Sequence, residues 1–150
     1  LHHPGMNEAV VATPPATLAI EVIRALHSLE TQLEEALEPL GLSLAKLGAL
    51  SKLFAAGEPM PLSTLAERLA CVRSNITQLV DRLDAEKLVT RSDDPRDRRS
   101  VRAELTAKGR ERHAAGMRAL DKVERDLLSR LTLSEQNDFL RYLRILRGDD

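Results

Sequence analysis

Residues 62–105 read LSTLAERLACVRSNITQLVDRLDAEKLVTRSDDPRDRRSVRAEL, and this stretch decides the fold. Leu62, Leu65, Ala66 and Leu69 recur at the three- and four-residue steps of one helical face, and Ile76, Leu79, Val80 and Leu83 form a second. The link between them, Ala70-Cys71-Val72-Arg73, is about one helical turn long. Two short helices joined so tightly predict a helix-turn-helix. Leu88-Val89-Thr90-Arg91 and the alternating Val101-Arg102-Ala103-Glu104-Leu105 then have strand character, and the turn-forming residues 92–99 lie between them. That pattern predicts a β-hairpin with a charged tip, and a hairpin directly after a helix-turn-helix is a wing.

Outward from this centre the chain is helical. Leu18, Val22, Leu26, Leu29, Leu33 and Leu37 make a long amphipathic helix that Pro39 and Gly41 end. Ser43 is placed to cap a second helix carrying Leu47, Leu50 and Phe54 through Ala56, with Gly57 as its stop and Pro59 and Pro61 marking a turn. Thr106 caps a fifth helix through Met117, Leu120, Val123, Leu127 and Leu128. Thr132 and Glu135 have the spacing of a capping box opening a sixth, with Phe139, Leu140, Leu143 and Leu146 on its apolar face. Leu-rich stripes at both ends of a small chain favour burial against a second copy over an intrachain bundle. The expected fold is therefore mainly α with a small β-hairpin wing: a winged helix-turn-helix at 42–106, flanked by helical dimerisation regions at 18–41 and 107–150. Residues 1–17 read as a mobile arm, with Leu1-His2-His3-Pro4-Gly5 ahead of Met6 resembling a tag remnant.

Composition narrows the function. The 150 residues carry 30% charged and 43% hydrophobic side chains, which is a soluble globular balance. No apolar run approaches the ~18 residues of a membrane span, and no signal-peptide grammar is visible, so a cytoplasmic chain is the simplest expectation. Phe54, Phe139 and Tyr142 are the only aromatic residues, too few for a base-stacking platform on single strands. The single cysteine, Cys71, permits no internal disulfide and builds no zinc site alone. Charge is segregated. Residues 1–67 hold three basic and eight acidic side chains (net −5), residues 68–112 twelve and eight (net +4), and residues 113–150 seven of each. A basic centre between acidic and neutral flanks is the footprint of a module that meets a polyanion.

On a helical wheel Ser74, Thr77, Gln78 and Asp81 point away from the apolar side of the second short helix, with Asn75 and Arg82 on the shoulder. Hydroxyls, amides and an arginine on one face can hydrogen-bond base edges or phosphates in a major groove. At the hairpin tip Arg96, Arg98 and Arg99 alternate with Asp93, Asp94 and Asp97. Arginine suits a narrow minor groove, and the carboxylates then serve to orient the arginines. The plainer readings, a wet helix face and a self-neutralising surface cluster, explain each feature singly but not their adjacency.

These residues resemble the MarR family of winged-helix transcription regulators, from about Leu18 to Leu146. The most specific parts are Leu65-Ala66-Glu67-Arg68-Leu69, Ser74 through Leu83, and the wing Asp94-Pro95-Arg96-Asp97-Arg98-Arg99-Ser100 with Leu105-Thr106-Ala107-Lys108-Gly109. The resemblance implies an obligate homodimer built by the terminal helices, a recognition helix at about 73–86, and a wing reaching the minor groove. It implies a repressor at a pseudo-palindromic operator, responsive to a small-molecule effector or, in some relatives, to thiol oxidation. On that analogy Arg96 is the minor-groove arginine and Asp94 its orienting partner, while Arg73, Ser74, Asn75, Thr77, Gln78 and Arg82 supply major-groove and phosphate contacts. His27 would border the effector pocket. Two departures stand out. Val72 stands where the family commonly has a serine that caps the recognition helix, so Ser74 is expected to cap it instead, starting the helix later at the cost of one possible base contact. Gln78 stands where a basic residue is common, so base preference is not transferable.

No Ser-His-Asp set, metal-ligand spacing, Gly-rich phosphate loop or cofactor motif is present, so catalysis is not expected. A winged helix used only for protein–protein contact, or a redox sensor acting through Cys71, are the alternatives. For Cys71 the plain reading is an inert packing thiol.

Overall fold

A computed structural model describes residues 14–69 and 73–149, with side-chain detail from residue 75 in the second stretch. The element order is α1 (Thr17–Leu37), a 3-10 turn (Glu38–Leu40), α2 (Leu44–Ala56), β1 (Met60–Pro61), α3 (Leu62–Arg68), α4 (Arg73–Ala85), β2 (Val89–Asp94), β3 (Asp97–Leu105), α5 (Ala107–Leu128) and α6 (Leu133–Arg147). The chain is a winged helix-turn-helix with added helices at both ends. It divides into two compact units at Thr31/Gln32. In the first, the α1 residues Leu18, Ile20, Val22, Ile23 and Leu26 are all exposed.

Helix ends follow their capping chemistry. Ser43 and Thr106 accept the backbone N–H groups of Lys46 (3.1 Å) and Gly109 (2.9 Å). At α6 the capping box is closed both ways, Thr132 Oγ1 accepting from Glu135 N–H and Glu135 Oε1 accepting from Thr132 N–H. The Thr132 backbone N–H, followed by the Thr132 hydroxyl, holds the Glu135 carboxyl below its ordinary value. Gly41 and Gly57 take the left-handed conformation just beyond their helices, with φ of 69° and 66°.

The sheet is larger than the hairpin expected. Met60 and Pro61 do not simply turn; they pair with Ala103 and Arg102, giving a three-stranded antiparallel sheet in the order β1-β3-β2. Pro61 has no N–H to donate, which an edge strand tolerates. The wing strands also run further than the turn-rich composition of residues 92–99 predicts. Ser92 pairs with Arg102, Asp93 with Val101 and Asp94 with Asp97, so only Pro95 and Arg96 turn, beside an irregularity at Asp93/Asp94. Backbone ladders need no apolar side chains, so these wet strands leave no alternation to read. Ser74 is corrected as well. Helix α4 already begins at Arg73, placing Ser74 inside the first turn, whereas a cap residue stands outside it.

The core is aliphatic. Leu37, Leu42, Leu47, Ala49, Leu50, Leu53, Met60, Leu65, Ala66, Ile76, Val80, Leu83, Leu88, Val89 and Ala103 form one buried cluster, and no polar residue among those described is buried with them. Phe54 stands apart from the α2 face assigned to it, about half exposed, while Leu53 takes the buried place.

Two glycines set how α5 is seated. A Cβ on Gly116 would come within 2.7 Å of Leu47 Cδ1 and 3.0 Å of Leu42 Cδ1. At Gly109 a Cβ would lie 2.0 Å from the backbone oxygen of Leu88, a contact that a side-chain rotation cannot relieve. Although alanine is the better helix former by ~1 kcal/mol, Gly109→Ala is expected to destabilise the fold by ~1–3 kcal/mol through forced backbone displacement. At about 2–4 °C per kcal/mol for a chain of this size, calorimetry reads the loss directly; an unchanged or raised Tm would show that α5 does not press on Leu88.

Candidate nucleic-acid interface

Helix α4 is built to show one face and hide the other. Ile76, Val80 and Leu83 are buried, and each contributes about 1.5–3 kcal/mol by leaving water. Their burial turns Asn75, Thr77, Gln78, Asp81 and Arg82 outward, and all five are exposed. Arg73 and Ser74 contribute helical backbone at the start of this row. Cys71 and Val72 lie outside the described residues, and with them the thiol reading.

The far end of α4 is fixed as firmly. Lys87 is left-handed, with φ of 61°, and Leu88 N–H donates to Leu83 O (2.9 Å) while Lys87 N–H donates to Asp84 O (2.9 Å). This double closure of the helix end is one that glycine usually makes. It delivers the chain into β2 with Leu88 and Val89 buried.

At the wing tip Arg96, Arg98 and Arg99 are all exposed. Asp94 and Asp97 act on the backbone: Asp94 Oδ1 accepts from Arg96 N–H (2.9 Å) and Asp97 Oδ1 from Arg99 N–H (3.0 Å). Each carboxylate closes a small turn that presents the arginine two residues on. The expected direct grip of Asp94 on the Arg96 guanidinium is not among the ion pairs of the described residues, so any orienting effect runs through the main chain.

Sequence reasoning missed Arg91. Its guanidinium ion-pairs with Asp81 through Nη1, and with Asp84 Oδ2 through Nη2 at 3.0 Å and Nε at 3.2 Å. The partners lie seven and ten residues back on another element, beyond any local pattern; only register could have hinted at it. A second missed group is His113 on α5, whose ring stacks on Phe54 with centroids 4.5 Å apart, near the contact of Ser51 Oγ with Met117 Sδ. His27 is exposed on α1, where its carbonyl accepts from Thr31 Oγ1. Among the described residues no cluster of three or more His, Cys, Asp or Glu could hold a metal, and no helix is long and apolar enough to cross a membrane.

Comparison with known proteins adds to this geometry. The family model described as "MarR family" matches residues 42–101. The chain is 33% identical over 116 residues to the uncharacterized HTH-type transcriptional regulator YhbI of Bacillus subtilis, covering 77% of this chain and 72% of that protein. It is 34% identical over 85 residues to the uncharacterized HTH-type transcriptional regulator YkoM of the same organism; that match takes 57% of this chain and spans about half (51%) of YkoM. Among solved structures, a mutant MarR from E. coli complexed with operator DNA superposes with a TM-score of 0.75 at 22% identity, covering 89% of this chain and 99% of that one, which is a likeness of fold.

Burial lowers the His113 pKa from its ordinary value of 6.5, so the folded chain prefers the neutral imidazole. Its contribution to stability is complete above the unfolded value and is lost as pH falls through it, because the unfolded chain takes up the proton first. Denaturant midpoints measured from about pH 7.5 to 5.5 should fall less steeply for His113→Gln than for the parent. Identical slopes would show that the stacked ring does not carry this dependence.

Proposed function

Because the chain belongs to the MarR family of transcriptional regulators, we propose that it is a sequence-specific double-stranded DNA-binding repressor acting as a homodimer on a pseudo-palindromic operator. The observation that carries this reading is the adjacency of two exposed polar surfaces. The row Asn75, Thr77, Gln78 and Arg82 on α4 is followed directly by the wing with Arg96, Arg98 and Arg99. A helix with short polar groups outward fits a major groove, and exposed arginines on a narrow ribbon fit the adjacent minor groove. The net +4 of residues 68–112 supports the same assignment.

The dimer rests on α6. None of its residues is buried, and Leu133, Phe139, Leu140, Tyr142, Leu143, Ile145 and Leu146 are exposed. A 15-residue helix is marginal in water without a packed face, so α6 calls for a partner surface. A second copy supplies one by symmetry, and a two-fold dimer reads a palindrome.

Selection of bound fragments from the parent genome, followed by titration at several salt concentrations, tests the reading. Log affinity should fall linearly with log salt, at ~0.9 per phosphate contact. Salt-insensitive binding, or no enriched fragment, would favour a protein-contact module instead. Gln78→Ala should cost the operator ~1–3 kcal/mol and leave unrelated duplex nearly unchanged, whereas Arg96→Ala should weaken both by similar factors and lower the salt slope by about one. Leu143→Glu should impair dimerisation and operator binding together. Light scattering that finds the parent monomeric at micromolar concentration would remove the dimer. A reporter driven from the selected operator that is unaffected when the protein is supplied would remove repression.

A further inference from the structure

We propose that Arg91 is a positioning residue that clamps the base of the wing to the recognition helix and cancels carboxylate charge on the DNA-facing side, an inference that rests on the DNA-binding reading. Asp81 and Asp84 stand three residues apart on α4, on the same side of the helix. Asp81 follows Thr77 and Gln78 along the outward row, where an unpaired carboxylate would face phosphate oxygens. Arg91 projects from β2 and spans both, committing Nη1 to Asp81 and Nη2 and Nε to Asp84. All three side chains keep between 36% and 51% of their surface open to solvent, so the cluster is a weak source of stability. Its value lies in position. One end is on the helix that would enter the major groove, and the other is on the strand that carries the chain to Arg96.

By residue type alone, Arg91 would pass for a phosphate contact, one more cation in a basic segment. The geometry points elsewhere, because three of its donors are already engaged within the protein. The trio carries a net charge of −1; without Arg91 it would carry −2 beside the DNA, and the wing base would lose its only ion pairs to α4 among the described residues.

A double-mutant design separates the two roles. Arg91→Ala, Asp81→Asn with Asp84→Asn, and all three together are titrated against operator and random duplex at several salt concentrations. Hydrogen exchange of the β2–β3 amides is followed in parallel. Arg91→Ala alone should weaken binding to both duplexes by ~3–10-fold and speed exchange across the wing, in the range of coupling between contacting residues. In the Asn background the same substitution should change affinity less than about two-fold, with no change in salt slope, because the charge it offsets is gone. An equal loss in both backgrounds, with the slope falling by about one each time, would make Arg91 a phosphate contact and overturn the proposal. So would an Arg91→Ala protein indistinguishable from the parent. Should the parent bind no duplex, the DNA-binding reading fails by itself. Faster wing exchange in Arg91→Ala would then still support the clamp, and unchanged exchange would overturn it.

Discussion

The contact between Gly109 and the carbonyl of Leu88 is the constraint on which the remaining geometry depends. At Leu88 the closed end of α4, the start of β2 and the first turn of α5 meet within a few ångströms. Leu88 N–H reaches back to Leu83 O, its oxygen accepts Thr106 N–H at 3.1 Å, and Thr106 Oγ1 donates to Lys87 O at 2.6 Å. Lys108 Nζ donates to Glu86 O at 3.0 Å beside them. Only a residue without a Cβ lets α5 come this close. Helix α4, the wing and the long helix α5 thus share one joint, at which Leu88 and Gly109 are buried.

From this joint the polar chemistry is pushed to the surface. An aliphatic core with no buried polar residue among those described supplies cohesion and shape but no recognition. On the DNA-binding reading, recognition falls to side chains that the core holds outward, the α4 row and the wing tip, with the Arg91 cluster between them. Acidic residues in this basic region have different tasks according to place. Asp94 and Asp97 shape the tip backbone, while Asp81 and Asp84 engage a cation from a neighbouring strand. Counting charges along the chain finds the basic segment but cannot distinguish these tasks.

The α6 surface has the opposite character. Its apolar residues are as regularly spaced as those of a core helix, yet none is buried within the chain. The same periodicity in α2 leads to burial of Leu47, Leu50 and Leu53. Spacing therefore tells that a face is apolar, and the fold tells which of those faces the described core covers; that of α6 is not among them.

The sequence by itself determined the order and kind of the helices, their caps at Ser43, Thr106 and Thr132, the tight pairing of α3 with α4, and which side of α4 is wet. These properties are local: a 3.6-residue period and a hydroxyl three residues before an N–H can be read within one turn of chain. Only the tertiary structure decided that Met60 and Pro61 form a third strand, that the wing ladder extends to Asp94 and Asp97, that Gly109 is an obligatory close approach rather than a weak helix residue, and that Arg91 belongs to Asp81 and Asp84. Each of those depends on two segments far apart in sequence meeting at a fixed register, and exposed strands with charged side chains carry no alternation from which that register could be read.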